Sequence, residues 1–83
     1  MYTLLRRTDA VEHIDRWYMV AVQPSLLDKT AVICAYGNRQ TEWQQLYVIP
    51  TDSPEAALAQ AKTIIEQKLR RGYRLIPKHE QAD

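Results

Sequence analysis

The residues of this chain that could do chemistry are cations and aromatic rings. Of its eleven Lys and Arg, six fall in the last 29 residues: Lys62, Lys68, Arg70, Arg71, Arg74 and Lys78. Five of them lie between Lys68 and Lys78 with no acid among them, a patch suited to a polyanion although the formal net charge is only +1. Trp17, Tyr18, Tyr36, Trp43, Tyr47 and Tyr73 offer flat faces on which bases stack, while Arg and Lys hold phosphates. Aromatic residues on strands are more commonly core. Tyr36, just before a turn, and Trp43, just after it, are the rings expected to reach solvent.

Covalent chemistry has far less to work with. His13 and His79 are far apart, and neither has a Cys or carboxylate at metal-ligand spacing, so no metal site is expected. Ser25 and Ser53 lack the Gly-rich elbow of a nucleophilic serine, and no phosphate-cradling glycine loop occurs. With two Gly in all, the chain also lacks the loops that usually build a catalytic pocket. The expectation is a binding module without catalytic residues or cofactor, not an enzyme.

Positioning these groups requires a scaffold, and the pattern of apolar residues supplies one. From Arg16, both alternating sets (Trp17, Met19, Ala21 and Tyr18, Val20, Val22) are apolar, which predicts a central strand ending at Gln23-Pro24-Ser25. Leu26 and Leu27 are expected to tuck against the sheet. Thr30 to Tyr36 is a second, β-branched strand, and Trp43 to Ile49 a third, closed by Pro50. Between them Gly37-Asn38-Arg39-Gln40 reads as a turn, with Gly37 expected at positive φ. Met1 to Asp15 reads as a short extended piece, Tyr2-Thr3-Leu4-Leu5, followed by a polar connection.

The helix is the clearest element. Ser53 can cap it with Pro54 in the first helical position; Asp52 as cap, with Glu55 closing a capping box, is equally physical. Leu58, Ala61, Ile65 and Leu69, with Ala57 and Ile64 beside them, form an apolar stripe at helical spacing. Lys62, Glu66 and Arg70 mark the outer face, and Gly72 the stop. Tyr73-Arg74-Leu75-Ile76 can add an edge strand. The predicted class is α+β: an antiparallel meander of three to four strands with one long C-terminal helix packed on one face.

Length and composition agree with this. Eighty-three residues, 46% hydrophobic and 25% charged, make one domain, assigned to residues 1–77 with a disordered tail at 78–83. Lone Cys34 lies in an apolar run and reads as a buried, inert thiol. Arg6, Arg7 and Asp9 come too early for a signal peptide, and no apolar run approaches the ~18 residues of a membrane span, so a cytoplasmic protein is expected.

Several segments, in order, resemble the WGR domain: Leu4-Leu5-Arg6-Arg7, Arg16 to Val20, Gln23 to Leu27, Ala35 to Arg39, Ser53 to Ala57, and Lys68 to Arg74. The opening looks like that of short bacterial stand-alone members, and the closing Lys-Leu-Arg-Arg-Gly-Tyr-Arg is the most specific part. The resemblance implies an antiparallel sheet with one long helix. It also implies nucleic-acid binding: in eukaryotic poly(ADP-ribose) polymerases the domain helps bind DNA breaks, its motif Trp near a strand end and its basic residues on the backbone. Here the naming triplet is Tyr36-Gly37-Asn38. Tyr36 keeps an aromatic face and Gly37 the permissive backbone, but Asn38 lacks the cation. Arg39 follows at once, although a shift of one residue along an extended chain points a side chain the opposite way. Glu42, near the motif, would repel phosphate.

Two functions follow. One is nucleic-acid binding, to DNA ends or backbone, through Tyr36, Gly37, Asn38, Arg39 and Trp43, with Lys68, Arg70, Arg71 and Arg74 as electrostatic support. The other is a protein-interaction or assembly module that has lost the DNA contact, using exposed aromatics and a strand edge.

Overall fold

A computed structural model describes residues 1–23 and 30–77. Leu26, Leu27, Lys78, His79 and the expected tail lie outside the described residues. Five antiparallel strands, β1 (Tyr2–Asp9), β2 (Ile14–Gln23), β3 (Thr30–Asn38), β4 (Gln44–Thr51) and β5 (Arg74–Leu75), form one sheet in the order β4-β3-β2-β1-β5. Helix α1 (Pro54–Arg70) packs on one face, giving the α+β layering that the apolar pattern predicts. The first four strands are a meander, and the helix carries the chain across the sheet so that β5 pairs with β1.

Two differences from the sequence reading have clear causes. What read as a polar connection after Leu5 is strand: β1 continues through Arg6, Arg7 and Thr8 to Asp9. Arg6 is paired to Asp15 at 3.2 Å on one face, while Arg7 stands opposite Arg16 on the other. Pro50 does not close β4 but sits inside it. Trp43 accepts the Asn38 amide, so by alternation Gln45, Tyr47 and Ile49 bond to β3 while Gln44, Leu46, Val48 and Pro50 turn their backbones outward. A missing N–H costs no ladder bond there.

Register sorts the side chains into layers. Leu5, Tyr18, Val20, Val32 and Cys34 face the helix and meet Ala57, Ala61 and Ile64, with Val22, Ile49 and Ile65 around them. The Cys34 thiol is free and buried. The helix turns Ala57, Ala61 and Ile64 inward, whereas Leu58 and Leu69 are 42% and 41% exposed, so the buried stripe is rotated from the expected one. Ala57 and Ala61 allow the helix axis to approach the sheet closely.

Both helix ends are closed by local chemistry. Ser53, not Asp52, is the N-cap: its Oγ accepts the Ala56 amide at 3.1 Å, with Pro54 in the first turn. At the other end Gly72, at φ +96°, reverses the chain, and the amides of Gly72 and Tyr73 donate to the carbonyls of Leu69 and Lys68. This closure throws Tyr73 back onto the core and starts β5. No described helix is long and apolar enough to cross a membrane.

Candidate nucleic-acid interface

The helix begins just after β4, at the Val22–Val32–Ile49 end of the sheet, and runs toward the end marked by Tyr18 and Tyr36. Its inward positions 57, 61 and 64 continue at helical spacing to Lys68, where the stripe changes from apolar to cationic. Lys68 Nζ stands 4.5 Å from the centre of the Tyr18 ring and 6.0 Å from that of Tyr73. Burial, with Arg71 close by, holds its pKa below the ordinary lysine value.

Beyond this point the two layers part, leaving a cavity of about 570 Å³. Its floor is aromatic. Tyr18 and Tyr36, cross-strand partners, stack with centroids 5.6 Å apart and planes within 8°. Tyr47 meets Tyr36 edge-on at 6.2 Å, and its hydroxyl shares a hydrogen bond with that of Tyr18. Burial is the main reason both phenols titrate above the usual tyrosine range. Tyr73 closes one wall, edge-on to Tyr18.

The rim is cationic: Arg7, Arg16, Lys68 and Arg71, with no carboxylate among the described residues that line the cavity. Arg7 and Arg16 are direct cross-strand partners, and like charges so placed destabilise a sheet. The described residues place no carboxylate within ion-pair distance of either; Arg6–Asp15 is the ion pair found among them. Arg16 is in turn the cross-strand partner of Asn38. Arg7 also lies near the helix C-terminus, its Nε 3.5 Å from the position a Cβ on Gly72 would take.

The lip is set by the hairpin between β3 and β4. Gly37 is inside β3, not in a turn, and its φ is not positive. Its lack of a side chain matters for a different reason. A Cβ there would come within 2.4 Å of the Trp43 carbonyl oxygen and 2.8 Å of Trp17 Nε1. The left-handed residue of the hairpin is Glu42, at φ 61°. Asn38 shapes the bend by accepting the Gln40 amide on Oδ1 at 2.8 Å. The result tilts Trp43 over Tyr36, centroids 5.6 Å apart, while leaving it 54% exposed.

The expected contact residues therefore divide. Tyr36, Gly37, Asn38, Trp43, Lys68 and Arg71 come together at the cavity. Trp43 reaches solvent as expected; Tyr36 is half-buried, with its hydroxyl on Gln45 at 3.1 Å. Arg39 lines a shallower hollow beside Trp17, Glu42 and Trp43, so neither it nor Glu42 joins the cationic cavity. Arg70 projects from the exposed helix face, and Arg74, paired with Arg6, lies on the sheet face away from the helix. Arg7, Arg16, Tyr18, Thr41, Tyr47 and Tyr73 complete the cavity lining and are not among the expected contacts. Register would have found Arg16, two residues before Tyr18 on the same face, but Arg7 requires β1 to be recognised first.

Among the described residues no group of His, Cys, Asp and Glu could hold a metal ion. Compared with known proteins, the family model described as WGR domain matches residues 1–80. No curated protein and no solved structure matches the chain.

Proposed function

The chain belongs to the WGR domain family, and on that premise we propose that it is a DNA-binding module whose contact surface is the aromatic, cation-rimmed cavity. The family is of binding type, and a nucleic-acid partner suits it in general. One observation carries the assignment to this cavity: Arg7 and Arg16 face each other directly, joined by Lys68 and Arg71 around a stacked aromatic floor, with no carboxylate among the described lining residues. Cations held together in this way gain most from a bound polyanion, which relieves their repulsion. The cavity is large enough for one nucleotide, within the usual ~300–1,000 Å³ of small-ligand sites.

In this reading strand phosphates sit between Arg7, Arg16 and Arg71, and a base at a strand end stacks on the exposed face of Trp43. The altered triplet is offset locally. Asn38 brings no charge, but Arg16 directly across from it supplies a guanidinium on the same face. Lys68, already partly desolvated, regains its full charge preference when a phosphate arrives. The alternative reading from the sequence, an assembly module, has its own support in the exposed Leu46 and Val48 on the uncovered sheet face.

Fluorescence anisotropy against 5′-phosphorylated blunt duplex DNA, single-stranded DNA and RNA tests the proposal. Saturable binding that weakens with salt and is strongest for a DNA ligand is expected. Equal, weak binding to all three, or none at low salt, would overturn it.

A further inference from the structure

We propose that the free edge of β4 pairs with β4 of a second copy of this chain, forming a reversible two-fold dimer with a continuous sheet. The inference does not depend on the nucleic-acid reading. β4 is an edge strand, and among the described residues no backbone bond reaches its outer side. Natural sheets protect such edges with lysines, inward charges or bulges. Gln44–Thr51 has none of these: it carries no charged residue, and Pro50 near its end is its one edge-blocking feature. The opposite edge, β5, is two residues long and bears Arg74.

The occupant is chosen by the pattern along this edge. Leu46 and Val48 turn their backbone groups outward and their side chains onto the uncovered face, where they are 62% and 50% exposed. A two-fold axis at Tyr47 places Leu46 opposite Val48 of the other copy, so each outward N–H meets an outward carbonyl and the two apolar side chains cover each other. Gln44 then faces Pro50, whose carbonyl can still accept. The edges are neutral and the chain's formal net charge is +1, so self-association meets little charge repulsion. A charged peptide would find no complementary charge on this strand. One strand pair covers less than the ~1,200–2,000 Å² of a standard stable interface, so the dimer depends on concentration. Tyr47 borders the cationic cavity, and its meeting with Tyr47 of the other copy sets the two cavities side by side.

Sedimentation velocity on the whole chain, from about 1 µM to about 1 mM, reads the association directly, over the range expected for weak complexes. The wild type should move from monomer to dimer. L46K/V48K, which sets lysines opposite each other, should raise the dissociation constant by about tenfold or more. Val48→Pro, which deletes an outward N–H without touching the bonds to β3, should do likewise. Both variants should keep the wild-type far-ultraviolet spectrum and their affinity for DNA as monomers. A wild type monomeric throughout, or a dimer indifferent to both variants, would overturn the proposal. So would slow hydrogen exchange at the Leu46 and Val48 amides of the monomer, because another segment would then cover the edge.

Discussion

The two ends of the layer between helix and sheet share strands β2, β3 and β4 and helix α1 and do opposite things. At the end where α1 begins, Val22, Val32 and Ile49 form a cross-strand row, and the small Ala57 and Ala61 hold the helix close. At the end where α1 stops, the corresponding row is Tyr18, Tyr36 and Gln45, the inward helix position is Lys68, and the next row is Arg7, Arg16 and Asn38. Small and branched residues close one end; rings and cations hold the other open. The site is thus a continuation of the core in which the side chains change character along unchanged strands.

The first way to break this comparison is to charge the closed end. Ile64→Asp puts a carboxylate among Leu5, Val20 and Cys34, an unpaired buried charge whose cost of several kcal/mol is of the order of the whole stability of a small domain. Loss of the cooperative thermal transition is expected. A second change acts at the open end: Gly37→Ala forces its Cβ against the Trp43 backbone and the Trp17 ring. It should cost about 1–3 kcal/mol in chemical denaturation, as overpacking does, and lower DNA affinity by moving Trp43.

Removing charge from the open end should separate binding from folding. In Arg7→Ala/Arg16→Ala the cross-strand repulsion is relieved, so the melting temperature should hold or rise slightly while DNA affinity falls and the salt slope drops by about one per arginine. Arg70→Ala/Arg74→Ala, which removes cations from the outer helix face and the far side of the sheet, should change affinity much less.

A subtler distinction comes from pH. Tyr18 and Tyr47 titrate above their ordinary value in the fold, so their contribution is fully present below the unfolded value near 10 and is lost as pH rises beyond it. Lys68, lowered in the fold, acts in the other direction: its cost is relieved as pH approaches the unfolded lysine value. Denaturant midpoints should therefore change little from about pH 8 to 10, then fall toward about pH 11 as the tyrosine effect takes over. Tyr47→Phe should shallow that fall.

The helix and strands β2, β3 and β4 are legible in the sequence because apolar periodicity, β-branched runs and end signals agree. The sequence conceals the second half of β1, where Arg6 and Arg7 break the alternation for reasons that lie on neighbouring strands. Sequence hydrophobicity sets the helix stripe slightly off its centre because Leu58 and Leu69 outweigh Ala57, whereas alanines decide how closely a helix can approach. In the hairpin, glycine and asparagine drew the turn toward themselves, but the left-handed residue is Glu42 and Gly37 serves close packing. The candidate site was legible in residue type and only half in position. The cluster from Lys68 to Arg74 is dense in sequence, yet helix and strand periodicity send Arg70 and Arg74 to other surfaces. Arg7 and Arg16 are distant in sequence and meet through β1–β2 register.

The most direct test of the central claim is the salt dependence of DNA affinity in wild type, Arg7→Ala/Arg16→Ala and Arg70→Ala/Arg74→Ala, measured by anisotropy on one end-phosphorylated duplex. The account predicts a slope of log K against log salt shallower by about two for the first pair and nearly unchanged for the second. Equal slopes in wild type and Arg7→Ala/Arg16→Ala, or a larger loss in Arg70→Ala/Arg74→Ala, would contradict it.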